Sequence, residues 1–312
     1  MPSARYAVVH ETEYRYDSAV ALSQQLLHMT PRPLPWQSTL AHAVAVEPTP
    51  TERWQRDDYF RNPVLYIAVL APHSVLHVRA TSAVEVRSRD GFRRLEDSPP
   101  WDRVRARMQQ VGSPPLLEAS QFLFESPQVG FTPALAAYAA SSFAPGRPLL
   151  AAARELMQRI HEEFEFDSQA TTVATPLAEV LTRRRGVCQD FAHLMIGCLR
   201  SVGIAARYVS GYLLTTPPPG QPRLIGADAS HAWVSVYCPE AGWCDFDPTN
   251  NLLPDLQHIT LAFGRDFSDV SPLRGVLLGG GEQELIVRVT VSPSAEEASA
   301  GAAAPGPGSA TA

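Results

Sequence analysis

Arg183-Arg184-Arg185-Gly186-Val187-Cys188-Gln189-Asp190-Phe191-Ala192-His193-Leu194 is the stretch on which the reading of this chain turns. After Cys188 the apolar residues Phe191, Leu194, Met195, Cys198, Leu199 and Val202 recur at helical spacing, and Gly203 stops the pattern. Cys188 therefore opens a helix. At that end, unpaired backbone N–H groups and the positive pole of the macrodipole favour a thiolate, the nucleophilic form of cysteine. Gly186 allows a tight turn into the helix. Cys198 lies on the apolar stripe and reads as a small buried hydrophobe. Arg183, Arg184 and Arg185 read as a solvated charge run rather than as a patch that recruits an acidic substrate.

A nucleophilic cysteine needs a base, and the base needs an orienting group. Ser230-His231-Ala232-Trp233-Val234-Ser235-Val236-Tyr237-Cys238 alternates as a strand. His231, Trp233, Ser235 and Tyr237 share its more polar face, and Ala232, Val234, Val236 and Cys238 share the other. Pro239-Glu240-Ala241-Gly242 has the length of a hairpin turn, and residues 243–247 run back until Pro248 ends the strand. A turn that sets Asp247 opposite residue 233 makes its carboxylate a diagonal neighbour of His231, about 7–8 Å away between backbones. The carboxylate then fixes the imidazole tautomer and leaves the other ring nitrogen to take the thiol proton. Asp245 lies on the same face and is the competing carboxylate, ranked below Asp247 because it is farther from the strand end. Trp233 is either a packed strand aromatic or a shield that keeps water from the pair.

Outward from this site, 312 residues exceed what one hydrophobic core usually serves, so two domains are expected. Residues 1–97 alternate in polarity, with strands expected at 6–16, 40–46, 64–70 and 75–86, and read as an N-terminal antiparallel β domain. Residues 98–147 are a linker and helical connection, in which two diproline runs bracket a helix at 101–111. Residues 148–293 form an α+β domain. Its first helix carries Leu149, Ala153, Leu156, Met157, Ile160 and Phe164 on one face, and a second, reaching 181, opens with Thr175 as N-cap and Pro176 at its first position. Strands are expected at 206–214, 231–238, 243–247 and 284–291. Residues 294–312 have nothing large to bury and are expected to be a disordered tail.

Several function classes are excluded. A net charge of −6 has the wrong sign for general nucleic-acid binding. No apolar run approaches the length of a membrane helix and no signal peptide opens the chain, so a soluble, cytoplasmic protein is expected. Cys188, Cys198, Cys238 and Cys244 contain no CxxC pair and are spaced too widely for a disulfide framework or a zinc site, so no metal or other cofactor is expected. Gly279-Gly280-Gly281 lacks the Lys-Ser/Thr of a phosphate loop and reads as a turn before the last strand.

At its motif residues the chain resembles the transglutaminase-like superfamily. Gly186-Val187-Cys188-Gln189-Asp190-Phe191-Ala192 is similar to that family's nucleophile motif and Ser230-His231-Ala232-Trp233 to its histidine motif. Gly242-Trp243-Cys244-Asp245-Phe246-Asp247-Pro248-Thr249-Asn250 resembles its aspartate motif, except that Asp245 stands where a less polar residue is common. Residues 14–62 resemble the β domain that precedes this core in a bacterial subgroup, and residues 264–272 with Gly279-Gly280-Gly281 resemble its C-terminal end. Most of residues 5–291 are covered. The resemblance implies an α+β fold in which the N-terminal β domain precedes a papain-like core. It also implies acyl chemistry, with Cys188, His231 and Asp247 as the catalytic residues. Cys188 would attack an amide carbonyl of a peptide or protein and pass the acyl group from a thioester to an amine or to water. The oxyanion would be held in part by the Cys188 backbone N–H. The family includes cross-linking enzymes, peptidases, amidases and inactive members. Trp233, Tyr237 and Trp243 offer aromatic shielding, but no carboxylate cluster is placed to hold a lysine ammonium, so hydrolysis is expected over cross-linking. An inactive peptide- or protein-binding module of the same fold is the alternative.

Overall fold

Alternation carries β1 (Ser3–Leu27) through 25 residues, with Tyr6, Val8, His10 and Thr12 buried and the residues between them at least partly exposed. In the computed structural model, residues 2–89, 94–110, 112–172, 175–215 and 230–294 are described. With β2 (Gln37–Glu47), β3 (Glu52–Asp57), β4 (Pro63–Val69) and β5 (His73–Arg87), β1 forms an antiparallel sheet in the order β2-β5-β1-β4-β3. The strands expected at 6–16, 40–46, 64–70 and 75–86 fall on β1, β2, β4 and β5. β3 was not foreseen: all six of its residues are exposed, so this edge strand carries no apolar alternation.

After β5 the chain forms α1 (Trp101–Met108), α2 (Pro114–Ser120) and α3 (Pro133–Ala140). The last two were not foreseen; α3 is marked by a Thr132 cap that accepts from Leu135 N–H, with Pro133 behind it. Then follow α4 (Leu149–Glu163), β6 (Glu165–Phe166), α5 (Leu177–Arg183), β7 (Arg185–Gly186) and α6 (Cys188–Ser201). The face of α4 carrying Leu149, Ala153, Leu156, Met157 and Ile160 is buried, as its periodicity requires. α5 starts one residue later than expected, with Pro176 in an extended conformation at the cap. Thr175 closes a local turn instead, its hydroxyl accepting from Thr172 N–H at 2.9 Å.

The second sheet consists of β8 (Ala206–Leu213), β9 (Ser230–Cys238), β10 (Gly242–Phe246) and β11 (His258–Gly264), antiparallel in the order β10-β9-β8-β11. Ala232, Val234 and Val236 join the core that α6 fills with Phe191, Leu194, Met195 and Cys198. The opposite face, expected to be the more polar, is buried as well: Trp233, Val209 and Phe263 cluster there with Leu34 of the first domain. After β11 come α7 (Phe267–Val270), β12 (Leu273–Gly279) and β13 (Gln283–Pro293). The expected strand at 284–291 exists, but its placement in the second domain is corrected. β13 pairs with β1 from Tyr6↔Pro293 to Tyr16↔Gln283, and β12 pairs with the other half of β1. Their pairing covers the side of β1 that β5 and β4 leave open. Gly279, Gly280 and Gly281 all have positive φ in the turn between these strands. Of the expected tail, residues 295–312 lie outside the described residues.

Two side-chain amides tie the sheets to each other. β11 is the edge of the second sheet, and its outer backbone is met by two side-chain amides of the first domain. Gln37 donates to Thr260 O at 2.7 Å and accepts from Thr260 N–H at 2.8 Å. Asn62 does the same for Phe263, both bonds being 2.8 Å. Both amides are buried, so a residue that cannot hydrogen-bond strands backbone groups away from water. We expect Gln37→Met and Asn62→Leu each to lower unfolding free energy by about 1–3 kcal/mol. Urea titration measures this, and wild-type midpoints in both variants would contradict it.

Candidate active site

Cys188 is the first residue of α6, as the periodicity after it requires. The first intrahelical bond runs from Phe191 N–H to Val187 O at 3.1 Å, which leaves the N–H groups of residues 188–190 unused by the helix. Asp190 reaches back to accept from Val187 N–H at 2.8 Å and also from the Thr171 hydroxyl at 2.6 Å. Burial pushes the Asp190 carboxyl up, and these two hydrogen bonds oppose it. The role of Gly186 is close approach: a Cβ there would sit 2.7 Å from Asp190 Oδ2 and 2.8 Å from Asp190 Cβ. The arginine run behaves as a solvated one. Arg183, Arg184 and Arg185 pair with Glu179, Glu163 and Glu165, and all three side chains are more than half exposed.

The hairpin register places the rest. Cys244 pairs with Val236 and Phe246 with Val234, so the next residue, Asp247, comes opposite Trp233, diagonal to His231. His231 Nε2 donates to Asp247 Oδ2 at 2.8 Å, and Cys188 lies close enough to the same imidazole to favour its charged form. With Nε2 committed to the carboxylate, Nδ1 is the nitrogen left for sulfur. Burial opposes charge on His231, but the hydrogen bond to Asp247 and the nearness of Cys188 prevail and raise it from 6.5 to about 10. Asp247 is fully buried. Its Oδ1 accepts from Thr249 N–H at 3.0 Å and Asn250 N–H at 3.2 Å. Its Oδ2 accepts, besides His231, Asn250 Nδ2 at 2.8 Å and His258 Nε2 at 3.1 Å. Burial alone would push this carboxyl up; the hydrogen bonds from His231 and His258 hold it well below the usual carboxylate range.

Asp245, the competing carboxylate, is engaged elsewhere. It pairs with Arg89 and accepts from Trp233 Nε1 at 3.0 Å. Arg89 in turn lies 4.8 Å over the ring of Trp36. Trp233 is wholly buried, its ring 6.1 Å from that of His231 and 5.1 Å from that of His258, so it packs the site and anchors Asp245 at once. Cys198 is wholly buried in the core, and burial pushes its thiol up. Cys238 and Cys244 are both free, and burial pushes the Cys244 thiol to about 12.

His258 was missed by the sequence reading because β11 was missed. The run Ile259-Thr260-Leu261-Ala262-Phe263, apolar but for Thr260, was the available signal for a strand buried on both faces. The ligating atoms of His231, Asp247 and His258 lie within 4.8 Å of one another, close enough in principle to hold a cation. Both Nε2 atoms also lie within hydrogen-bonding distance of one carboxylate oxygen, which can only accept, so each imidazole is read as a donor to it.

Comparison with known proteins agrees with this architecture. Residues 136–248 match the core model of the transglutaminase-like superfamily, and residues 6–85 match the bacterial transglutaminase-like N-terminal region. An uncharacterized protein of Mycobacterium tuberculosis is 42% identical over 297 residues, 93% of each chain, and one of Mycobacterium leprae is 32% identical over 294 residues, 92% of this chain and 98% of its own. The chain belongs to the transglutaminase-like superfamily. A protein-glutamine gamma-glutamyltransferase of Pseudomonas aeruginosa is 34% identical over 104 residues, 32% of this chain and 16% of that protein. The crystal structure of a candidate cysteine protease from Cytophaga hutchinsonii superposes with a TM-score of 0.74 at 19% identity, over 94% of this chain and 91% of that one. The fold is α+β, an N-terminal antiparallel β domain followed by a papain-like core.

The buried histidines make stability depend on pH in two directions. His231 is raised to about 10, so its contribution is complete below 6.5 and is lost as pH rises toward 10. His10 and His193, both lowered to about 4 by burial, must charge when the chain unfolds in acid, so stability falls as pH drops from 6.5 toward 4. Melting temperature should therefore peak near pH 6.5, the common reference value, and His231→Ala should flatten the alkaline limb. A wild-type alkaline limb that persists in this variant would contradict the assignment. Asp245→Asn should lower stability, because it leaves the buried Arg89 guanidinium unpaired, whereas Asp247→Asn should act mainly on chemistry.

Proposed function

We propose that this chain is a cysteine-dependent acyl-transfer enzyme acting on amides of peptides or proteins, with water favoured over an amine as acceptor. The observation that carries this reading is one imidazole held between a carboxylate at 2.8 Å and a helix-opening cysteine. In that arrangement Cys188 sulfur attacks the amide carbon and the carbonyl π pair moves to oxygen, where the unused N–H groups at the start of α6 receive it. The His231 imidazolium donates its proton to the departing amine, the C–N bond breaks and a thioester remains. His231, now neutral, takes a proton from water. The hydroxide oxygen adds to the thioester carbon, and collapse returns thiolate and releases the acid.

Two things support the reading, one for the substrate class and one for the acceptor. The P. aeruginosa relative named for glutamine γ-glutamyl transfer aligns over 104 residues, which favours carboxamides as the electrophile. Asp190, Asp245 and Asp247 are each already engaged, with Thr171 and Val187, with Arg89 and Trp233, and with His231 and His258 respectively. None of the three is left to hold a lysine ammonium, which favours water as the acceptor. The second reading is a peptide-binding module without chemistry; it would be favoured if Cys188 alkylated no faster than a model thiol.

The test offers a glutamine-containing peptide with a primary amine at millimolar concentration and measures free acid, cleaved peptide and amine adduct together by mass spectrometry. Acid or cleaved peptide should predominate. Cys188→Ala should abolish all three products, and His231→Ala should slow them on the order of 10²–10⁴-fold. Predominant adduct would overturn the preference for hydrolysis while leaving the cysteine chemistry in place.

A further inference from the structure

Two imidazoles end on one carboxylate oxygen, and the superfamily chemistry described above uses only one of them. His258, the first residue of β11, is 1% exposed and donates from Nε2 to Asp247 Oδ2. Its other nitrogen, Nδ1, is buried without a hydrogen-bond partner. An ionised carboxylate only accepts, so the hydrogen of His258 is on Nε2. A second hydrogen on Nδ1 would be a buried donor with no acceptor, a costly state. Burial, against the pull of Asp247, accordingly lowers the basicity of His258. The ring is a neutral donor whose tautomer the site has fixed.

We propose that His258 is a positioning residue that shares Asp247 Oδ2 with His231, holding the carboxylate in line and tempering the basicity it confers on His231. The proposal rests on the reading of Cys188 and His231 as the reacting pair. A hydrogen bond donated to Oδ2 takes up part of the negative potential that would otherwise act on His231 alone. This matters most after the thioester forms, when the thiolate charge is gone and His231 must be neutral to take a proton from water. A base held too strongly by its carboxylate stays protonated at that step. The charged and titratable groups that face the imidazole pair are Cys188 from α6, Asp247 after β10 and Arg89 beyond β5, and Arg89 is itself paired with Asp245.

The experiment follows the rate of Cys188 alkylation by iodoacetamide against pH, which needs no knowledge of the substrate. The wild-type rate should show a thiolate–imidazolium plateau, then an upper inflection where the imidazolium loses its proton. His258→Leu should move that inflection upward by about half a pH unit or more, since a donor to the shared carboxylate is gone. His258→Gln, whose amide reaches as far as Nε2, should keep the wild-type profile. His258→Asn, too short to reach Oδ2, should shift as Leu does and provides a polar variant if Leu does not fold. An inflection unchanged or lowered in Leu and Asn, or moved equally in Gln, would overturn the proposal. A wild-type profile without a plateau, and identical in His231→Ala, would instead overturn the assignment of the reacting pair.

Discussion

A fully buried carboxylate, Asp247, is the constraint around which the site is built. An ion of this kind survives in a protein interior only when its lone pairs are filled and its charge is matched. The chain meets that demand with five donors: two backbone N–H groups and a side-chain amide from the turn that follows β10, and one imidazole from each of β9 and β11. Several features of sequence then have a common cause. Pro248 ends the strand so that Thr249 and Asn250 can turn their N–H groups inward. The hairpin register sets His231 diagonal to the carboxylate, and β11 begins with a histidine where its first side chain meets Oδ2.

The first domain belongs to this arrangement. Gln37 and Asn62 close the outer edge of β11, and Leu34 covers Trp233. Apolar packing is continuous across the boundary, from Tyr6, Val84 and Val291 to Tyr212 and Ile259, and His10 meets the Tyr212 hydroxyl at 2.8 Å. The strand that carries His258 is thus held from both sides, by β8 in its own sheet and by two amides from the other. β12 and β13 return the chain to β1, so a unit running from residue 148 to residue 293 would carry two strands that belong to the other sheet.

What was legible in the sequence is what local pattern encodes. The helix that Cys188 opens follows from the spacing of Phe191, Leu194, Met195 and Cys198, and the encounter of His231 with Asp247 follows from strand alternation and the length of one turn. Pairings between distant segments are not encoded locally, and the strands missed or misplaced depend on such pairings. β3 is wholly exposed and lacks alternation, β11 is wholly buried and lacks it too, and β13 alternates without declaring which sheet it joins. His258 was lost with β11. Gly186 was read as allowing a tight turn, and the structure adds the close approach of the Asp190 side chain, which no spacing rule exposes.

Asp245 and Asp247 lie two residues apart on one face of the hairpin, roughly 6–7 Å along a strand. Two like charges so placed would each raise the pKa of the other unless both were neutralised locally. The structure neutralises them separately, Asp247 with the imidazoles and Asp245 with Arg89, and it inserts the Trp233 indole, which donates to Asp245 and packs against both histidine rings. Arg89 thus keeps Asp245 from competing for His231. Removing that guanidinium would leave a second buried anion beside the reacting pair, with Arg207 as the remaining cation acting on it. The departure of Asp245 from the less polar residue common at this point of the motif is balanced by an arginine supplied from the other domain.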